Sequence, residues 1–366
     1  MIKPFVLTRA RQRGALRIAL IASLLTGGGL SAAETAVFPN PPGYHIVDHI
    51  PMSDGWWDYA NFDPVHRRLF VSRGNGVFQM DVDTGKVDQQ VIPGSEGRAS
   101  ALTPDGELVI STMAGWGAAI VFEANTGDVK KMFSLRQVPD AAVYDPASKL
   151  AWVMGRHGEA TLLDIHALKI AGLIAIGGEL EFAAVDGKGR LYVNDIEHSA
   201  VVVVDTLARK VIAHFQLSHC DEPTGIVYVD HYGLLIVACG NGFAKVLDAK
   251  TGVECFSIPV DADPDAVIYD RERDLAFIPS PTTGKLSVLA VRGPRAVQLL
   301  EKVPTQTGTR TGAVDPKTRL LYLPTARFGP KNKLGWADPL PGTVELLVLA
   351  PQKSDLPAFS TSPQRN

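Results

Sequence analysis

The sequence predicts an all-β fold, a seven-bladed β-propeller made of four-stranded antiparallel blades. Three observations predict it: one β-rich unit recurs seven times, its period is 40 to 45 residues, and the strand missing after the last unit is found before the first. Such a period in an all-β pattern is the signature of propeller blades. We therefore expect one domain over residues 34–350, although a chain of 366 residues would ordinarily suggest two.

Each unit has a short apolar strand, a turn of the Asp-Pro type and a second apolar strand that begins with Leu. The turns are 40, 42, 41, 43, 41 and 45 residues apart. They are marked by Asp63-Pro64 with Leu69, Thr103-Pro104 with Leu108, Asp145-Pro146 with Leu150, Asp186-Gly187 with Leu191, Val229-Asp230 with Leu235, Asp270 with Leu275, and Asp315-Pro316 with Leu320. Seven turns predict seven blades.

A third strand, rich in Val, Leu and Ile, follows each turn. These strands are predicted at Gln79–Asp83, Ala119–Glu123, Thr161–Ile165, Val201–Asp205, Ala244–Asp248, Leu286–Val291 and Val344–Leu349. Several end in a turn such as Asp83-Thr84-Gly85, where Gly can adopt the positive φ that tight hairpins need. A fourth strand follows in six blades, for example Lys86–Ile92 and Lys210–Leu217.

The seventh blade lacks its own fourth strand, because the chain after Leu349 runs into Pro351 and a polar tail, 351–366, that we expect to be disordered. Tyr44–Ile50 has the pattern of a fourth strand and directly precedes the first inner strand. We predict that it completes blade seven, so that the ring closes by pairing of the N- and C-terminal strands. Closure protects sheet edges that an open array would expose.

The first 33 residues have the pattern of a secretory signal peptide. Five Lys and Arg residues precede an uncharged apolar run, Ile18–Leu30. The small residues Ser31-Ala32-Ala33 follow this run, as cleavage by signal peptidase requires. The alternative, a retained membrane anchor, needs about 20 apolar residues. We expect cleavage after Ala33, export to the periplasm and no membrane span in the mature chain.

Charge argues against nucleic-acid binding. The signal peptide holds five of the 36 Lys and Arg residues and none of the 39 Asp and Glu residues, which leaves the mature chain with 31 basic and 39 acidic side chains and a net charge of −8. Non-specific nucleic-acid binding depends on a basic stripe, and the mature sequence shows none. We expect a monomer whose partner is a small polar ligand or a periplasmic protein.

The cysteines predict no disulfide framework, since three is too few and odd in number. Cys239 and Cys255 fall on strands separated by a third strand, about 9–10 Å apart, and should not bond. His219, Cys220 and Cys239 could meet near the rim of the propeller, which is a weak signal for a soft metal. No CxxC, HExxH or CxxCH spacing occurs in the sequence.

Several short motifs resemble the YncE-like group of YVTN β-propeller proteins, which are exported bacterial seven-bladed propellers. The resemblance covers about residues 50–330 and is most specific in its last part. It is carried by 55–59 (GWWDY), 140–146, 181–194, Glu222-Pro223, 304–318 and 323–330. It implies the fold and export but no settled reaction, and the DNA-binding label of the family fits an acidic exported chain poorly. In blade two the family pattern has a His where this chain has Gly97-Arg98-Ala99.

Functional groups should concentrate where the innermost strands surround the central channel. The residue five positions before each repeat turn begins an inner strand, and six of these seven residues are charged. We call this set the charged ring: Asp58, Arg98, Asp140, Glu181, Thr224, Asp265 and Arg310. Mostly small residues follow, as expected for strands crowded near an axis. The ring could bind a polar ligand, or its members could pair with one another as structural salt bridges.

Loops of the same face should add aromatic and charged groups. The candidates are Trp57, Arg73, Trp116, Arg156, His157, His198, Glu222 and Trp336. The longest loop, 329–342, is a candidate lid over the channel mouth, and its alternative is a solvated insertion.

The sequence favours a non-catalytic binding or protein-interaction propeller that uses this face, and no cofactor is predicted. No phosphate-binding Gly-rich loop, nucleophile elbow or Ser-His-Asp spacing occurs in the sequence. The alternative is a metal-dependent hydrolase or lactonase with Ca²⁺ on Asp58, Asp140, Glu181 and Asp265. Two arginines in the same ring oppose a divalent ion, which needs six to eight oxygen ligands.

Overall fold

The computed structural model describes residues 38–330 and 337–352. The predicted signal peptide, the predicted tail from residue 353 onward and the centre of the 329–342 loop lie outside these ranges. The described residues form seven four-stranded sheets, each with strands antiparallel to their neighbours. The predicted seven-bladed propeller is confirmed.

The first four blades follow the chain order without crossovers. Blade one contains β2 (Trp57–Asp63), β3 (Arg68–Arg73), β4 (Gly76–Asp81) and β5 (Val87–Pro93); blade two contains β6 (Gly97–Leu102), β7 (Leu108–Met113), β8 (Ala118–Glu123) and β9 (Val129–Ser134). Blade three contains β10 (Pro139–Asp145), β11 (Leu150–Gly155), β12 (Glu159–Asp164) and β13 (Lys169–Ala175); blade four contains β14 (Leu180–Val185), β15 (Arg190–Asp195), β16 (Ala200–Asp205) and β17 (Lys210–Gln216). A short 3₁₀ helix, Ala114–Trp116, joins β7 to β8.

Blades five and six repeat this order, and blade seven departs from it. Blade five contains β18 (Pro223–Val229), β19 (Leu234–Cys239), β20 (Phe243–Asp248) and β21 (Glu254–Pro259); blade six contains β22 (Ile268–Asp270), β23 (Leu275–Ser280), β24 (Lys285–Val291) and β25 (Val297–Pro304). Blade seven contains β26 (Ala313–Val314), β27 (Leu321–Thr325), β28 (Glu345–Ala350) and β1 (His45–Pro51).

The ring closes as predicted, because β1 pairs antiparallel with β28 from His45 opposite Ala350 to Pro51 opposite Glu345. Arg67, in the turn between β2 and β3 of blade one, also connects blade one to blade seven. Its guanidinium donates to both carboxylate oxygens of Asp315 in blade seven, at 2.5 and 2.7 Å. Asp315 is fully buried, so this ion pair is a buried contact between the first and last blades.

Aspartate side chains stabilise several of the repeat turns. Asp63 accepts hydrogen bonds from the backbone amides of Val65 and His66 at 2.9 and 3.3 Å, and it is buried. Asp145 and Asp315 hold their turns in the same way. A short carboxylate can satisfy backbone donors two or three residues ahead, which selects Asp at this position.

The core is distributed between the faces of neighbouring blades. The largest buried cluster runs across blades two, three and four and contains the fully buried Trp152. Further clusters lie between other adjacent blades, including one at the closure that unites Trp57 and Tyr322. Every blade therefore depends on both neighbours for burial, as expected for a closed ring of β-sheets.

One expectation about the cysteines is wrong. Cys220 and Cys239 form a disulfide, with their Cα atoms 5.1 Å apart. Pro223 pairs with Cys239 across β18 and β19, and this register brings the loop before β18 next to the end of β19. Counting cysteines could not reveal this contact. Cys255 is free, as predicted for its separation from Cys239.

Candidate ligand-binding funnel

A common backbone irregularity places the charged ring in blades one to five. In each of these blades the first and fourth residues of the inner strand pair with residues of the next strand that are only two positions apart. The inner strand therefore has one extra residue between these two pairs. This is the count of a β-bulge, which bends a strand and redirects side chains. The ring residue is the second residue of each inner strand, within the bulge. The five are Asp58, Arg98, Asp140, Glu181 and Thr224.

In blades six and seven the ring residue lies before the regular inner strand rather than within it. Their regular inner strands are short and begin only at Ile268 and Ala313, after the ring residues Asp265 and Arg310. These two side chains nevertheless meet, since Arg310 Nε lies 2.5 Å from Asp265 Oδ2. The charge of Arg310 also acts on Asp58 and Glu181 in blades one and four. The structure therefore brings the charged members of the ring together at one mouth, which we call the funnel.

Two more ion pairs line the funnel. Arg98 Nη1 lies 3.3 Å from Asp58 Oδ2. Arg156, predicted as a loop residue, reaches the ring and places its Nε 2.7 Å from Asp140 Oδ2. Each ring aspartate thus faces an arginine.

The floor of the funnel is aromatic. Tyr59 and Phe182 each follow a ring residue by one position, and they come from blades one and four. Their ring centroids are 3.7 Å apart, so the pair spans the channel. The corresponding residues elsewhere are mostly small, and at Gly225 an added Cβ would meet the backbone of Ala266 at 2.6 Å. Sequence reasoning treated these positions only as a tight throat and missed the aromatic pair.

Below this floor lies a cavity of about 370 Å³, lined by the lower parts of inner strands from six blades. Tyr59 and Phe182 belong to its lining, but no member of the charged ring does. The funnel and this cavity are therefore two spaces on the same axis. Candidate polar chemistry belongs to the upper one.

Burial makes two funnel carboxyl groups, Asp58 and Glu181, hard to ionise. Burial raises the pKa of Asp58 to about 7, an effect opposed by Arg310 and strengthened by Asp265 and Asp140. Burial likewise raises the pKa of Glu181 well above its usual range, with further contributions from Asp140, Asp265 and Asp58. The carboxylate of Asp265 raises the pKa of Arg310. The funnel is a coupled set of charges rather than a row of independent surface groups.

Asp58 predicts a pH-dependent stability. Its folded pKa of about 7 exceeds the ordinary value of 3.8, so its stabilising contribution is full below pH 3.8 and is lost as pH rises through 7. Asp58→Asn, which stays neutral, should therefore gain stability relative to the parent between pH 5 and pH 8.5. We expect the Tm of the variant minus the Tm of the parent to increase by a few degrees from pH 5 to pH 8.5. A change of 1 kcal/mol in unfolding free energy corresponds to about 2–4 °C in Tm.

Differential scanning calorimetry at the two pH values measures this change. Asp128→Asn, at an exposed turn, is the control and should show the same difference in Tm at both pH values. A constant difference for Asp58→Asn as well would contradict the raised pKa.

The other predicted loop residues divide into exposed and buried groups. Trp116, His157, His198 and Glu222 are exposed. His198 Nδ1 donates a hydrogen bond to Asp195 Oδ2 at 2.8 Å, and this bond raises the pKa of the histidine. Trp336 lies outside the described residues, so the predicted lid stays a prediction.

Trp57 and Arg73 are not loop-surface residues as predicted. Trp57 is buried between blades one and seven, where it packs with Phe328 at a centroid distance of 6.0 Å. Arg73 is completely buried and donates to the backbone carbonyls of Ser53, Gly55 and Trp56. Burial lowers the pKa of Arg73 to about 10. It therefore organises the loop before β2 instead of facing a ligand.

The soft-metal hypothesis for the rim loses its sulfur ligands. Cys220 and Cys239 are joined in the disulfide, so neither offers a thiolate, and His219 is exposed. Within 38–330 and 337–352, no group of three or more His, Cys, Asp or Glu side chains has a metal-binding arrangement.

Comparison with known proteins identifies the fold. No family model matches the chain, and no curated protein matches it in sequence. Among solved structures, a chain of a mitotic checkpoint complex has 12% identity and a TM-score of 0.68, with 91% of this chain and 98% of that chain covered. The RRP9 WD40 repeats have 11% identity and a TM-score of 0.68 over 85% and 98% of the two chains. Hydrazine synthase from Kuenenia stuttgartiensis has 16% identity and a TM-score of 0.64 over 75% and 94%.

At these identities the likeness establishes a β-propeller fold and nothing finer. Membership of the YncE-like group therefore stays a prediction from the sequence motifs.

Proposed function

We propose that this chain is an exported, non-catalytic binding protein that holds a small polar ligand, or a polar segment of a partner protein, in the funnel. One observation carries the proposal: residues from separate blades converge as a partly buried set of interacting charges above the aromatic floor. Binding sites are concave and place a few polar groups against apolar walls. Perturbed pKa values cluster at such sites.

Purely structural pairing is the competing explanation of the ring. It accounts for the three aspartates, each of which has an arginine, but it leaves Glu181 beside three other carboxylates. The arginines also remain partly open to solvent, with side-chain exposures of 29, 39 and 34% for Arg98, Arg156 and Arg310. Charged groups that are coupled and still reachable from outside favour a ligand site.

The alternative function, a Ca²⁺-dependent hydrolase or lactonase, has less support. Its ligands would be Asp58, Asp140, Glu181 and Asp265, and three of these already pair with guanidinium groups. Calcium takes six to eight oxygen ligands, and placing it here would require those pairs to break.

Export to the periplasm is the second part of the proposal. It is supported by the signal-peptide pattern of residues 1–33 and by the Cys220–Cys239 disulfide. Disulfides persist in oxidising compartments and are rare in the cytosol. In the described part of the chain, no helix is both long enough and apolar enough to cross a bilayer.

A ligand screen with a ring variant tests the binding role. A thermal-shift screen of sugars, amino acids, amines and carboxylates should find compounds that raise the Tm, since binding to the native state alone stabilises it. Arg310→Ala should change the affinity for such a compound about tenfold or more, weakening the binding of an anion and strengthening that of a cation, because Arg310 acts on three funnel carboxylates.

Arg271→Ala is the matched control. Arg271 also pairs with an aspartate, Asp230, but it lies in the repeat turn after β22, on the face opposite the funnel. It should bind like the parent. If no compound in the screen shifts the Tm, or if Arg310→Ala binds with the same affinity as the parent, the funnel is structural and the proposal fails.

A further inference from the structure

One carboxyl group of the funnel has no arginine beside it. The three funnel aspartates each pair with an arginine, and these three arginines are thereby engaged. Glu181 is the fourth carboxylate. Among the residues that the structure describes, no Lys, Arg or His nitrogen lies within 4.0 Å of it. One carboxyl group is therefore left without a cation beside it in a partly buried site.

The group that does contact Glu181 belongs to the aromatic floor. Tyr59 donates its hydroxyl hydrogen to Glu181 Oε2 at 3.1 Å, and Tyr59 itself packs on Phe182. Aromatic rings attract ammonium groups through their quadrupole, and the attraction strengthens in partly desolvated sites. A carboxylate without a cation beside an aromatic pair is the combination that recognises an organic ammonium ion.

Other ligand classes fit this arrangement less well. A carboxylate or phosphate would need an arginine to receive it, and each funnel arginine already holds an aspartate. A neutral ligand would form no ion pair with Glu181. A cation can pair with the ionised form of Glu181, the one funnel carboxyl group that has no arginine within 4.0 Å.

We propose that the funnel ligand carries a primary ammonium group, which Glu181 receives above the Tyr59–Phe182 floor. This inference rests on the proposed binding function and names the class of its ligand.

Proton linkage follows from the surroundings of Glu181. The titratable and charged groups that face it from the neighbouring blades are Asp58, Tyr59, Asp140, Arg156, Asp265 and Arg310. Burial and the three aspartates raise the pKa of Glu181, so the empty funnel retains a proton that an ammonium ion displaces into solvent. Affinity for an amine should therefore rise with pH.

The experiment compares n-butylamine, 1-butanol and butyrate, which share one carbon chain and differ in the polar group. Each is titrated into the mature protein by calorimetry at pH 6 and pH 8. We expect binding of butylamine only, tighter at pH 8, and at least tenfold weaker in Glu181→Gln. Glu107→Gln removes an exposed carboxylate at the far face, whose side chain is 60% exposed, and should bind like the parent.

The possible results separate this inference from the proposed function. If butanol or butyrate binds instead and Arg310→Ala abolishes that binding, the funnel is a ligand site but not for ammonium. If butylamine does not bind, or binds equally to Glu181→Gln, the inference is overturned, and the broader screen still decides the proposed function. If Glu181→Gln does not fold, the pH dependence of the unmodified protein decides, and affinity that falls or stays level toward pH 8 overturns the inference.

Discussion

Deleting residues 44–51 should leave a protein that aggregates or melts far below the parent. The deletion removes β1, which supplies the fourth strand of blade seven and pairs with β28 along its length. It also removes Tyr44 and Ile46, which pack in the cluster between blades six and seven. An unpaired β28 would expose its hydrogen-bonding edge to other chains. Size-exclusion chromatography and a thermal melt measure the effect.

A circular permutant provides the control for this deletion. It begins at Trp57 and carries residues 38–56 after residue 352 through a short flexible linker, so that β1 follows β28 in the same chain. Because it retains every strand of the ring, it should be monomeric and melt close to the parent. Equal melting temperatures for the deletion and the parent would contradict closure by β1.

Replacing both Cys220 and Cys239 with Ala should lower the Tm by about 5–10 °C. The disulfide joins residues 19 apart in sequence, and closing a loop of this size in the unfolded chain is worth about 3 kcal/mol. Both sulfur-bearing residues are buried, so the substitution also removes packed atoms. Thermal unfolding of the oxidised parent and the double variant gives the difference directly.

Cys255→Ala separates the disulfide from a general effect of losing sulfur, since Cys255 forms no disulfide. That variant should melt within about 2 °C of the parent, as expected for a partly exposed site. A double variant as stable as the parent would show that the cross-link contributes nothing to the folded ring.

The fold could be predicted because its determinants are local and repeated. At three repeat turns an Asp carboxylate accepts a hydrogen bond from a backbone amide of the same turn. These residues are Asp63, Asp145 and Asp315. The closing strand was predictable for a different reason. Blade seven had three strands, and 44–50 matched the missing one to within a residue of the observed β1.

The charged ring was predictable from the same period. Counting back from the turns found seven equivalent positions, and ion pairs join Arg98 with Asp58 and Arg310 with Asp265. The pairing of Arg156 with Asp140 was not predicted, because it joins a loop to an inner strand at a distance that the period does not encode. The aromatic floor was missed for a related reason, since Tyr59 and Phe182 are far apart in sequence and interrupt a pattern of small residues.

The errors also have physical causes. Trp57 and Arg73 were placed on the surface because they lie in or next to predicted loops. Arg73 is instead drawn inward by three backbone carbonyls, and Trp57 by the apolar cluster at the closure. The Cys220–Cys239 contact depends on the register of β18 with β19, which no cysteine count contains.

A crystal structure of the protein with the tightest compound from the thermal-shift screen tests the central claim most directly. We predict density for that compound in the funnel, above Tyr59 and Phe182 and in contact with Glu181 or Arg310. Density confined to the cavity below the aromatic floor or to the outer strands, with the charged ring unchanged, would contradict the assignment of the funnel as the binding site.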